Sequence, residues 1–121
     1  MGKRVLVVDD SVAIGRLVKT YLERDGHVVT AVTSAMAALA AAESGEPIDV
    51  YILDVHMHAG DPHGVSLAKM LAQRHPDAPI MFITGDARLA AGPELAGRRV
   101  FPKPLDFAAL CKAVAGDTPT D

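Results

Sequence analysis

The feature that most constrains this chain is an alternation. Short apolar runs rich in β-branched residues take turns with segments whose apolar positions recur at helical spacing. The first run, residues 5–8 (VLVV), is continuous, the pattern of a strand buried on both faces, and it stops at Asp9 and Asp10. Ser11 then offers a helix cap. Ile14, Leu17, Val18, Tyr21 and Leu22 follow at the i, i+3, i+4, i+7, i+8 spacing of a core-facing stripe, and Asp25-Gly26 ends it. A second strand over 27–32 comes next. An alanine-rich helix from the Ser34 cap to about residue 44 follows, then a third buried strand over 48–53, ended by Asp54. The alanines reflect helix propensity rather than a cofactor-binding segment. After a loop rich in His and Gly come a helix over 64–73, a strand over 79–83 and the turn Thr84-Gly85-Asp86. Residues 87–99 start helix-prone, but Gly92-Pro93 should break any long helix, so a short or irregular one is expected. A short strand at 100–101, a helix over 105–114 and a polar tail over 116–121 complete the reading.

Strands alternating with helices of about ten residues imply right-handed crossovers and a parallel sheet. The expected fold is α/β: a doubly wound, five-stranded parallel sheet with helices on both faces. With 121 residues a second core would be marginal, so one domain over 1–121 is expected, with its core over 4–115. Charge excludes some functions: 12 Lys and Arg against 15 Asp and Glu show no basic excess for nucleic acid or an anionic membrane. One cysteine rules out an internal disulfide framework and fits a reducing, cytoplasmic compartment. No leader pattern is visible, and no apolar run approaches the roughly 18–20 residues that span a bilayer.

In such sheets ligands sit at the carboxyl ends of the strands. There the sequence places Asp9 and Asp10 after strand 1, Asp54 after strand 3, Thr84 after strand 4 and Lys103 after strand 5. Three carboxylates crowded at one rim require a cation or a proton, and Mg²⁺ with its preference for oxygen is the natural cation. An acidic first loop would repel phosphate unless a metal intervened, and neither a G-x-G-x-x-G run nor a P-loop occurs. With Mg²⁺ present the set suits phosphoryl transfer. A carboxylate can act as nucleophile while a lysine and a hydroxyl hold the phosphoryl oxygens.

Four segments, VLVVDDS at 5–11, YILDVHM at 51–57, FITGDA at 82–87 and FPKPL at 101–105, give the chain a clear likeness. It resembles a response-regulator receiver domain, the phosphoacceptor of two-component signalling, from Arg4 to Val114. The resemblance implies that Asp54 is the phosphoacceptor, Thr84 the switch hydroxyl and Lys103 the cation that pairs with the phosphoryl group. It implies Mg²⁺, or Mn²⁺ in its place, held by Asp9, Asp10, Asp54 and the backbone carbonyl of His56. It also implies a cis Lys103-Pro104 bond. The implied partners are a histidine kinase or histidine phosphotransfer protein as donor and an output protein of unknown identity, with no direct nucleic-acid contact and no membrane insertion. Slow self-dephosphorylation, not turnover of a substrate, is the expected chemistry.

With only seven residues after Val114, a stand-alone regulator is expected, a receiver cut from a longer regulator or hybrid kinase being the alternative. A Mg²⁺-dependent aspartyl-phosphate phosphohydrolase is a third reading, disfavoured because His56 stands where its second carboxylate belongs. Two departures from the family concern the surroundings of the site. Gly64 lies ten residues beyond Asp54, an apparent two-residue insertion, and Val100 holds the place of the usual aromatic, with Phe101 one step on. His56, His58, Asp61 and His63 resemble a transition-metal ligand set, but a solvated polar loop explains them as well. Cys111 is expected to be a small buried apolar residue.

Overall fold

A computed structural model describes residues 2–57 and 63–116. Its elements are β1 (Arg4–Val8), α1 (Val12–Arg24), β2 (Val28–Val32), α2 (Ala35–Glu43), β3 (Val50–Asp54), α3 (Gly64–Arg74), β4 (Ile80–Thr84), α4 (Ala87–Ala91), β5 (Arg99–Pro102) and α5 (Phe107–Ala115). A single 3-10 turn, Pro93–Leu95, lies between α4 and β5. The strands form one parallel sheet in the order β2-β1-β3-β4-β5. The chain runs outward from β1 to β2, then returns to β3 on the other side of β1. That reversal opens a crevice at the carboxyl ends of β1 and β3.

The two-residue period of the strands sorts the core into two layers. Val5, Val7, Ile52 and Ile83 face Val18 and Leu22 of α1 and Leu110 and Val114 of α5. Leu6, Val8, Tyr51, Leu53 and Phe82 face Ala38 of α2 and Leu67 and Leu71 of α3. Each such side chain, taken fully out of water, contributes about 1.5–3 kcal/mol before entropy is charged against it. Ser11, Ser34 and Asp106 cap α1, α2 and α5, each accepting the backbone N–H three residues on.

Several expectations need correction. Leu17 is not core: it is 46% exposed, and the buried residues of α1 are Gly15, Val18 and Leu22. α1 lies on the sheet with its Gly15, Val18 and Leu22 edge inward, Gly15 facing Ala31 of β2, which turns Leu17 outward. Ile14 and Tyr21 are half-buried, the Tyr21 ring stacking on Phe107 at 4.4 Å. The third strand runs Val50–Asp54 rather than 48–53; just before it, Asp49 holds Arg4 twice, its N–H donating to the Arg4 carbonyl and its carboxylate accepting the Arg4 N–H, both at 2.8 Å. Asp54 is therefore the last residue of the ladder, paired with Ile83, and Thr84 is likewise the last of β4, paired with Pro102. His27 falls before β2 and accepts the Lys3 N–H on Nδ1 at 3.0 Å. Cys111 is half-buried, not buried; burial and then the neighbouring Asp25 carboxylate push its thiol above the ordinary range.

The fourth helix is short, as expected. It ends at Gly92 in extended backbone, and Pro93 opens the 3-10 turn, whose Leu95 is buried beside Phe82. Lys103-Pro104 is cis. Of the tail, residues 117–121 lie outside the described residues. A hollow of about 400 Å³ lined by Arg4, Leu6, Val28, Ala41 and Ile48 lies at the amino ends of the strands, where alanines of α2 fill little space. It includes none of the polar residues picked out above. Among the described residues, no helix is long and apolar enough to cross a membrane.

Candidate functional site

The same two-residue period that builds the core aims the site. Asp9 continues the Val5, Val7 side of β1 and Asp54 the Val50, Ile52 side of β3, so both turn toward the α1 and α5 layer. Lys103, two past Phe101 at the end of β5, continues that side as well. Asp9 is 1% exposed and Asp54 3%, while Asp10 is half-buried. One carboxylate oxygen from each of Asp9, Asp10 and Asp54 falls within 4.8 Å of the others.

Lys103 is the cation of the cluster. Its Nζ lies 3.0 Å from Asp9 Oδ2 and 3.5 Å from Asp54 Oδ2, and its backbone N–H donates to the Thr84 carbonyl at 2.8 Å. Asp9 Oδ1 accepts the Ser11 N–H at 2.8 Å, which ties the first acidic residue to the start of α1. Asp9 Oδ2 has no hydrogen bond despite its buried position. The nearby ammonium is close enough to pair with it but off the hydrogen-bonding direction.

Burial first, and then the Asp9 charge, push the Asp54 carboxyl from its ordinary 3.8 up to about 6. Lys103 and the His56 N–H, which donates to Asp54 Oδ1 at 3.2 Å, pull against that rise. For Lys103, burial works to lower the ammonium, but the two carboxylates outweigh it and hold it above the ordinary range. Lys103 thus sets one ammonium against two buried carboxylates, Asp9 and Asp54. Three oxygen donors, one from each of three carboxylates, fit a hard divalent cation such as Mg²⁺.

Thr84 is fully buried at the end of the adjacent strand, β4. Its hydroxyl accepts the Asp86 N–H at 3.0 Å. His56 is exposed, with Nε2 3.8 Å from Asp86 Oδ2. His63 caps α3: its Nδ1 accepts the Val65 N–H at 3.3 Å, which in neutral imidazole leaves the proton on Nε2 and no lone pair there for a metal. The His56 and His63 rings meet edge to face at 6.1 Å. His58 and Asp61 lie outside the described residues, and among those described only the aspartate cluster gathers metal-ligating atoms.

Val100 packs against the same layer as Phe82, whereas Phe101 lies on the opposite face with Ile83, its ring beneath the Arg99 guanidinium. A one-residue offset in a strand reverses the face, so Phe101 cannot stand in for an aromatic at position 100. Two residues have roles that the sequence does not reveal. Gly64 brings the start of α3 against the end of β3: a Cβ there would come within 2.5 Å of the Asp54 carbonyl oxygen and 2.7 Å of Val55 Cα. Asp86, in the turn after β4, caps α4 by accepting the Arg88 and Leu89 N–H groups, and an aspartate directly before a helix-prone run is the local signal for this.

The family model described as the response regulator receiver domain matches residues 5–115. The chain is 37% identical over 84 residues to the alkaline phosphatase synthesis transcriptional regulatory protein PhoP of Bacillus subtilis, covering 69% of this chain but spanning 34% of that regulator. It is 33% identical over 92 residues to the response regulator receiver protein CpdR of Brucella abortus, covering 76% of this chain and 74% of CpdR. Among solved structures, the chemotaxis response regulator CheY4 of Vibrio cholerae superposes with a TM-score of 0.83 at 26% identity, over 98% of this chain and 100% of that one. The response regulator TrrA of Thermotoga maritima, in complex with Mg²⁺-BeF, gives 0.82 at 26% identity, over 96% and 99%.

Proposed function

The chain belongs to the response regulator receiver family, and from that premise we propose that Asp54 accepts a phosphoryl group from a phosphohistidine. The observation that carries this is the buried cluster itself: Asp9, Asp10 and Asp54 with grouped oxygens, and Lys103 reaching two of them. A carboxyl with a pKa of about 6 is mostly ionised at neutral pH, and so able to act as nucleophile. An Asp54 oxygen attacks phosphorus, an acyl phosphate bond forms, the bond from phosphorus to the imidazole nitrogen breaks, and the imidazole leaves with its electron pair. A Mg²⁺ ion held by Asp9, Asp10, Asp54 and the His56 carbonyl would neutralise charge on the phosphoryl oxygens. Lys103 offers its ammonium to one of those oxygens, and Thr84 turns its hydroxyl toward another.

Receivers are phosphoacceptors rather than enzymes acting on a separate substrate. We take the loss of the phosphoryl group to be slow attack by water at the same site. A phosphohydrolase reading gains nothing from the geometry, because the His56 ring reaches Asp86, not Asp54. Response-regulator receivers interact with histidine kinases and with output domains. For this chain we propose a cytoplasmic location, a histidine kinase or histidine phosphotransfer protein as donor and a protein as output target. Incubation with acetyl phosphate and Mg²⁺ should add one phosphoryl mass, absent in Asp54→Asn; equal labelling of that variant would rule out the assignment.

A further inference from the structure

Asp86 occupies a junction to which the phosphoryl chemistry assigns no task. Its backbone N–H donates to Thr84 Oγ1 at 3.0 Å. Its Oδ1 accepts the N–H groups of Arg88 and Leu89 at 2.9 and 3.3 Å, and its Oδ2 lies 3.8 Å from His56 Nε2. His56 in turn donates its N–H to Asp54 Oδ1. One residue therefore touches the buried hydroxyl, the segment that follows the acceptor, and the first turn of α4.

We propose that Asp86 is the coupling residue of this domain: a phosphoryl group on Asp54 acts on α4 by loosening the cap that Asp86 provides, not by turning an aromatic side chain on β5. The proposal rests on the reading of Asp54 as acceptor and of Thr84 as the hydroxyl that turns toward the phosphoryl group.

Two observations and one physical argument support it. First, α4 depends on its cap. It has five residues, none of them buried, and Gly92-Pro93 prevents its extension. A helix so short has little stability of its own, and its first amides have no acceptor within the helix. Second, the aromatic route is missing, since Val100 holds the position beside Phe82 while Phe101 faces the other layer. Third, an incoming phosphoryl group competes for both partners of Asp86. It brings up to two negative charges and strong acceptor oxygens. When the Thr84 O–H donates to one of them, its oxygen turns away from the Asp86 N–H. The His56 ring, drawn toward the new anion, leaves Oδ2. Asp86 then loses two of the contacts that hold its carboxylate over the Arg88 and Leu89 amides.

Amide hydrogen exchange of the full chain at Arg88 and Leu89, with and without beryllofluoride and Mg²⁺, tests this, with fluorine NMR reporting the adduct at Asp54 independently. Adduct formation should speed exchange at these two amides about fivefold, the equivalent of one N-cap of about 1 kcal/mol. In Asp86→Ala the two amides should exchange fast already and respond no further. Asp86→Asn keeps the backbone N–H and a side-chain acceptor, so it should restore both protection and response. An adduct that leaves the wild-type amides unchanged overturns the coupling and leaves the acceptor reading intact, and so does an undiminished response in Asp86→Ala. Absence of an adduct in wild type overturns the acceptor reading, and the coupling falls with it. The wild-type comparison decides the matter even if Asp86→Ala fails to fold.

Discussion

Removing the charge of Asp54 should make the metal-free protein more stable, by an amount that depends on pH in a defined way. In the folded chain the carboxyl holds its proton up to a pH of about 6, against 3.8 ordinarily. Below pH 3.8 the group is neutral in both states and costs nothing. As pH rises from 3.8 to about 6 the unfolded chain releases the proton while the folded chain keeps it, so folding stability declines. Above that window both states are ionised, and the folded state carries the whole cost of a carboxylate buried beside Asp9. At about 1.4 kcal/mol per pH unit, the interval between 3.8 and about 6 amounts to about 3 kcal/mol. Asp54→Asn mimics the neutral acid at every pH, and its amide oxygen can still accept the His56 N–H. Denaturant unfolding of both proteins in EDTA from pH 4 to 8 is the assay. The variant should match wild type near pH 4 and exceed it by about 3 kcal/mol at pH 8, equivalent to roughly 10 °C in Tm for a domain of this size. A difference under about 0.5 kcal/mol at pH 8, or one equally large at pH 4, would refute the electrostatic account of the site.

The remaining expectations concern the metal and the packing around it. Saturating Mg²⁺ at about 100 times its Kd should stabilise wild type by about 2.7 kcal/mol, with Asp10→Asn gaining much less; thermal melts with and without the ion read this directly. Gly64→Ala should lose about 1–3 kcal/mol and acetyl-phosphate labelling with it, because the added methyl group would press on the backbone of Asp54 and Val55; unfolding curves and intact mass measure the two effects. Leu22→Ala should cost about 2–5 kcal/mol while Leu17→Ser stays within about 0.5 kcal/mol, a contrast that chemical denaturation of the two variants exposes.

Much of this protein could be read from residue order alone, because its signals are local. Continuous β-branched runs mark strands buried on both faces, and the cores at 5–8, 50–53 and 80–83 emerge wherever neighbouring elements lie. Polar residues that end those runs sit at the strand carboxyl ends in any parallel sheet, so Asp9, Asp10, Asp54 and Lys103 could be assigned to one rim in advance. Even the broken fourth helix is local, since Gly92 and Pro93 act on their own backbone. What residue order left undecided depends on which surfaces meet. Leu17 follows the apolar period yet is exposed, because the packing of α1 on the sheet turns the Gly15, Val18 and Leu22 edge inward. Phe101 and Val100 are adjacent in sequence, but the sheet separates them into opposite layers, and only the register of β5 on β4 decides which one lies beside Phe82. Asp86 looks like an ordinary turn residue until β3 and β4 lie side by side and bring His56 to it. The raised pKa of Asp54 is likewise a tertiary property: a carboxyl acquires it only when strands distant in sequence bury it beside a second one.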